Sequence, residues 1–180
     1  MKSYNNTTYA ILGILTTDCT SGYSIKQFMD QSLNHFWKIS YGQIYPTLKL
    51  LVEDGLAEVK SASTSGRADK NEYFLTEKGL ATLKNWIEQP IDQVPAERNE
   101  VLLKLFFGSH QSPERTVSLL EEYQKTLEAR HATYEAIEQG IRHNHHEEQD
   151  AMYWLFTLDY GKRVTQAAIG WCEYTLKNIR

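Results

Sequence analysis

Few residues in this chain of 180 are arranged to do chemistry. The densest group of ligating types is His143-Asn144-His145-His146-Glu147-Glu148. On a helix, His143 and Glu147 share a face. A zinc site needs three or four ligands converging tetrahedrally, however, and no cysteine lies nearby to complete one. The patch reads as a polar turn between two long helices, and His35, His110 and His131 read as isolated structural residues. There is no Gly-rich phosphate loop, nucleophile elbow or His-Glu-x-x-His pair. Asp and Glu are spread along helical faces, as solvated charges are. Neither an enzyme nor a metal or cofactor is expected. What remains is recognition chemistry, and it concentrates in Ser40–Gly55, SYGQIYPTLKLLVEDG.

In that stretch Ile44, Leu48, Leu51 and Val52 have the spacing of one buried helical face. Ser40 followed by Gln43 fits a capping box, which allows a helix to begin at Ser40. Gly42 leaves room for another backbone to approach. Pro46 lacks the N–H that would reach the Gly42 carbonyl, and its ring bends the first turn. Gln43 can donate to and accept from a base edge. Ser40, Tyr41, Tyr45 and Lys49 suit phosphate and sugar contacts, which position a protein on DNA without reading sequence. The residues alone also permit a helix that starts at Pro46, a favoured first position, with Ser40–Tyr45 as a loop.

The elements around this stretch follow from periodicity and breakers. Thr7 or Thr8 caps a first helix bearing Ile11, Leu12 and Leu15. Thr20-Ser21-Gly22 turns into a second helix with Ile25, Phe28, Met29 and Leu33 on one side. Leu56–Ala62 and Asn71–Leu75 read as strands joined by a polar, Gly-containing tip. Thr76 caps a fourth helix whose inner face is Leu80, Leu83 and Ile87. This order predicts a mainly α chain that opens with a winged helix-turn-helix carrying a two-stranded wing. Pro90 and Pro95 mark a linker, which sets the expected domains at 1–89 and 90–180.

Tyr9-Ala10-Ile11-Leu12-Gly13-Ile14-Leu15, Gly22-Tyr23-Ser24-Ile25, Ser40–Gly55, and Gly66-Arg67 followed by Tyr73-Phe74-Leu75-Thr76-Glu77-Lys78-Gly79 together resemble the PadR family of bacterial transcriptional regulators. Gly161–Leu176, with Gly161 and Trp171, is similar to the helical C-terminal region of its longer members. The resemblance places the Ser40 motif in one recognition helix and so favours the Ser40 start. It implies a homodimeric, repressor-type protein that binds double-stranded DNA at a palindromic operator. Arg67 and Lys70 at the wing tip would then reach the neighbouring minor groove or backbone. Ser24 and Lys26 would serve as phosphate ligands, although a solvated surface lysine is an equal reading of Lys26. The wing reads Gly-Arg-Ala-Asp-Lys where relatives often follow Gly-Arg with Pro and a second basic residue, so Asp69 weakens its positive charge.

The second half reads as long helices. Asp150–Arg180 is apolar over much of its circumference, and such a helix must be covered on more than one side. A helical dimerisation domain is expected, with Leu155, Leu158, Val164, Ala168, Trp171 and Cys172 at the interface. Gly161, Ala167, Ala168 and Gly170 would let helices approach closely. Trp86, Trp154 and Trp171 are candidates to line an effector pocket between the two parts, since members of the resembled family sense phenolic compounds or planar drugs.

Charge points the other way. Residues 1–89 hold eight Lys and one Arg against nine acids, a net of zero, and residues 90–180 carry the whole net charge of −4. Nucleic-acid binders are generally basic. The rival reading is therefore a winged-helix module that binds protein rather than DNA. Two cysteines without paired spacing fit a reducing cytoplasm. The N-terminal apolar run is too short for a membrane span, so no membrane role is expected.

Overall fold

The computed structural model describes residues 2–33, 36–62, 70–91, 94, 97–145 and 147–179, with the backbone alone described at 61, 62 and 70. The chain forms two compact units, Met1–Val94 and Pro95–Arg180.

The first unit is a winged helix-turn-helix. Helix α1 spans Asn6–Ile14 and α2 spans Gly22–Phe28, continuing as a π turn over Met29–Leu33. Helix α3 spans Tyr41–Glu53, and α4, Glu77–Ile87, follows the hairpin. Strands β1 (Ala57–Ala62) and β2 (Lys70–Leu75) pair antiparallel, with Ala57 opposite Leu75 and Ala62 opposite Lys70. Beyond β1, the Tyr73 N–H donates to the Thr20 carbonyl at 2.7 Å, which ties the hairpin to the chain entering α2. Ile11, Leu12, Ile25, Ile44, Leu48 and Leu51 are fully buried and form the centre of the core.

Two details depart from the sequence expectation. The cap of α1 is Asn5, whose side-chain oxygen accepts from the Thr8 N–H at 2.9 Å, and neither Thr7 nor Thr8 has that role. Asn is as good a cap as Thr, and the Asn-Asn-Thr-Thr run offered several starts. On α4 the inner residues are Gly79 and Leu83, while Leu80 and Ile87 are exposed. The cause is steric. A Cβ at Gly79 would stand 2.0 Å from the Leu56 carbonyl oxygen, so this turn of α4 lies directly against the chain leaving α3. Thr76 completes the junction by accepting from the Gly79 N–H at 3.0 Å and donating its hydroxyl to the Gly55 carbonyl at 2.9 Å.

The second unit is a long helical hairpin. Helix α5 spans Glu100–Phe106, α6 Pro113–Asn144 and α7 Ala151–Asn178. Leu127 packs with Ile169 and Cys172, and Lys162 donates to Glu138 at 2.5 Å, so α6 and α7 run antiparallel. Gly161 is used inside this hairpin: a Cβ there would come within 3.1 Å of the Tyr134 ring. At about 100° per residue, Met152, Tyr153, Phe156, Tyr160, Val164 and Tyr174 form a stripe opposite the side that packs on α6. All six are 45–71% exposed.

Candidate nucleic-acid interface

Helix α3 begins where Ser40 and Gln43 place it. The Gln43 carboxamide oxygen accepts from the Ser40 backbone N–H at 3.0 Å and from the Ser40 hydroxyl at 3.2 Å. The helix therefore runs through Pro46 and does not start there. Thr47 adds its hydroxyl to the Gln43 carbonyl at 2.7 Å. Ile44, Leu48 and Leu51 point into the core, which turns Tyr41, Gln43, Tyr45, Pro46 and Lys49 outward. Tyr41 and Tyr45 are about half exposed on this outward side.

Each candidate can now be placed. Among the described residues a Cβ at Gly42 would meet only the Ser40 hydroxyl, at 3.7 Å, so none of them requires glycine there. The space is open to something outside the chain. Gln43 has its oxygen committed to the cap, and only its amide NH2 is left for an outside acceptor. Ser24 is likewise engaged: its hydroxyl donates to the Ser21 carbonyl at 2.9 Å and accepts from the Ser21 N–H at 3.0 Å, forming a cap for α2. Lys26 is not a solvated surface lysine. Its side chain is 15% exposed, its ammonium is hydrogen-bonded to Asp30, and it lies 5.5 Å from the centre of the Tyr41 ring. Lys49 is well exposed and sits 3.7 Å from Glu53. Arg67 and the Lys70 side chain lie outside the described residues, as do His35 and His146.

Sequence reasoning missed two residues. Gly22 is one: a Cβ there would come within 2.7 Å of the Tyr45 ring, so the start of α2 is a seat for that ring. Asp30 is the other, and its spacing of four from Lys26 was the available signal.

In the second unit Cys172 is fully buried against Leu127 and Ile169, and Ala168 and Trp171 pack on the same cluster. Burial also raises the Cys172 thiol above its ordinary pKa. These residues serve the hairpin's own core, and the Cys172 side chain is not at the surface of the single chain. Leu155 and Leu158 are half-buried, and Val164 alone of the expected six is exposed. The large apolar residues that α7 leaves exposed lie instead on its outward stripe. The three tryptophans have partners within their own units. Trp86 stacks on Tyr9 at 4.7 Å between centroids, Trp154 meets the His145 ring edge-on at 6.0 Å, and Trp171 joins the Leu127 cluster. A groove of about 650 Å³ lies by the α6–α7 turn, floored by Ile141, Ala151 and Leu155, with none of the tryptophans in its lining. His145 there faces Glu148 at 2.5 Å.

A helix-turn-helix with an outward α3 amino end, a β-hairpin wing and a helical second unit define a winged-helix regulator. The sequence profile of the transcriptional regulator PadR-like family matches residues 11–85, and that of the virulence activator alpha C-terminal region matches residues 97–180. The negative transcriptional regulator PadR of Bacillus subtilis is 32% identical over 124 residues, 68% of this chain and 67% of that one. The chain belongs to the PadR-like family of transcriptional regulators, and that family is not one of enzymes. The crystal structure of Bacillus subtilis PadR in complex with operator DNA superposes with a TM-score of 0.86 at 24% identity, over 98% of this chain and 100% of that one. The same relative in complex with p-coumaric acid gives a TM-score of 0.76 at 24% identity, over 96% and 94% of the two chains. The Vibrio cholerae virulence activator AphA gives 0.74 at 28% identity, over 95% and 96%. No helix among the described residues is long and apolar enough to cross a membrane.

Proposed function

We propose that this chain represses transcription by binding a palindromic operator as a homodimer, and that a small aromatic molecule releases it. The observation that carries the reading is the amino end of α3, where a glycine that the chain's own packing does not need stands beside exposed Tyr41, Gln43 and Tyr45. Recognition helices meet base edges with this end. Gln43 donates to one base acceptor through its free NH2, and Ser40, Tyr41, Tyr45 and Lys49 hold phosphate and sugar. Ser24 contributes through its capped turn, Pro46 stands on the outward side beside Tyr45, and Arg67 and Lys70 of the wing reach the adjacent groove. The outward stripe of α7 supports the homodimer, because an apolar helical face of this kind calls for a cover. The complexes of the Bacillus subtilis relative with operator DNA and p-coumaric acid support the two ligand classes.

Selection of bound duplex from a random pool, at fixed salt, tests the reading. The expected product is two inverted half-sites about one helical turn apart, or a multiple of it. Recovery of no sequence, with salt-indifferent capture of a protein instead, would establish the rival interaction module, which the neutral charge of residues 1–89 favours. Addition of p-coumaric acid or a related phenolic acid should release the selected duplex; a panel of such acids without effect would remove the effector from the proposal.

A further inference from the structure

Two lysines flank the outward face of α3, and each is followed four residues later by an acid: Lys26 by Asp30 and Lys49 by Glu53. With the cation first, this is the less favourable order of such a pair on a helix, so its contribution to helix stability is small. The two pairs differ in kind. Lys49 and Glu53 have side chains 78% and 59% exposed and stand 3.7 Å apart, a contact that water and salt screen. The Lys26 side chain is only 15% exposed, with its ammonium hydrogen-bonded to Asp30 and set against the Tyr41 ring at the first turn of α3. Asp30 itself is half exposed and stands at the π turn that ends α2.

We propose that Asp30 is an internal competitor with DNA phosphate for Lys26, and that it sets how strongly the affinity of this chain depends on salt. The inference rests on the DNA-binding reading above. A phosphate that takes the Lys26 ammonium displaces a carboxylate which stays within one helical turn. The pair therefore brings no net charge to the duplex, and little condensed counterion is released on its account. Affinity for every DNA sequence is held down alike, since phosphate contacts carry no base information. The zero net charge of residues 1–89 then reflects paired lysines at the interface rather than the absence of an interface.

The test compares the full-length wild type with Asp30→Asn, Glu53→Gln, Lys26→Gln and the double variant Lys26→Gln/Asp30→Asn. Binding to the selected operator and to a scrambled duplex is followed by fluorescence anisotropy across a salt series. Asp30→Asn should tighten binding to both duplexes by the same factor. It should also steepen the dependence of log K on log salt by about 0.9 per subunit, an extra loss of about 3.5-fold per subunit between 50 and 200 mM. Glu53→Gln should change the slope far less. Asp30→Asn in the Lys26→Gln background should have little effect. An unchanged slope, weaker binding by Asp30→Asn, an altered operator preference, or an effect that survives the loss of Lys26 would each overturn the inference. If thermal melting shows that Asp30→Asn is unfolded, Asp30→Ser carries the same comparison. A wild type that binds neither duplex is a separate result, which removes the DNA-binding reading and this inference with it.

Discussion

Among the described residues of the first unit, buried side chains from Tyr9 to Leu83 meet in one cluster; in the second unit the corresponding cluster is Leu127, Ile169 and Cys172. The difference follows from architecture. Four helices and a hairpin can enclose a core on all sides, whereas two long antiparallel helices share one seam and leave their remaining faces open. Helix α7 is apolar on both its faces, so one face is satisfied within the hairpin and the other is the one the proposed homodimer would cover. A substitution in the first unit should therefore be felt as folding, and one on the outer side of α7 as assembly.

The strongest test of this contrast is Phe156→Glu combined with Tyr160→Glu. Both rings are well exposed in the single chain, at 63% and 71%, so the variant should fold. It should lose the dimer in sedimentation, with each charge costing at least about 2 kcal/mol of association. A dimer of unchanged strength would show that the partner covers another face. Ile44→Ala should act in the opposite manner. It opens the closed core and should lower stability by about 2–5 kcal/mol in denaturant unfolding, while the oligomeric state of the fraction still folded stays the same.

Glu138 gives the second unit its own pH dependence. Its carboxylate accepts from Lys162 at 2.5 Å and from Arg142 at 2.8 Å. The Lys162 hydrogen bond first, and then that of Arg142, hold its pKa below the ordinary glutamate range. A depressed carboxylate contributes stability above the unfolded value of about 4.3, and this is lost as pH falls through the lower folded value. Acid melting of the hairpin should therefore begin below about pH 4.3. Glu138→Gln should lower stability at neutral pH by up to about 1 kcal/mol and blunt the acid dependence, as read from melting across a pH series.

Two smaller effects separate folding from recognition within α3. Gln43→Ala removes the bonds to Ser40 and should cost about 0.5–1.5 kcal/mol of stability. It should also cost about 1–3 kcal/mol at the operator and relax choice at one base per half-site. The exposed position alone predicts no loss of stability; the cap changes that expectation. Gly42→Ala should stabilise the unit by about 0.4–1 kcal/mol, since its backbone is compatible with alanine and nothing crowds the new methyl. The same substitution should weaken operator binding. Tighter binding in electrophoretic shift assays would mean that no other backbone comes close at this point.

How far the sequence could be read follows the same division. The register of α3 was legible because one apolar stripe, Ile44, Leu48 and Leu51, fixes one direction, and the Ser40–Gln43 pair marks the start. Gly79 was legible only as part of a motif. Its physical reason, the Leu56 carbonyl, comes from a segment in the previous strand connection and has no local signature. On α7 periodicity was degenerate. Two apolar faces give no indication of which one meets α6, and so the sequence does not tell that Cys172 and Ala168 pack within the hairpin while Phe156 and Tyr160 face outward. The pairing of α6 with α7 depends on contacts between residues far apart in the chain, such as Leu127 with Cys172, and local patterns do not carry them.

The junction after α3 has a mechanical consequence. Asp54, Gly55 and Leu56 each give a backbone carbonyl to the start of α4: Asp54 to the Lys78 ammonium at 2.6 Å, Gly55 to the Thr76 hydroxyl at 2.9 Å and Leu56 to the Thr76 N–H at 3.1 Å. With the Gly79 turn lying directly on Leu56, the segment leaving α3 is fastened to the start of α4 by three hydrogen bonds and one close contact. The junction is thus a hinge pin: it holds the carboxyl end of α3 to the amino end of α4, while the rest of both helices rests on α1.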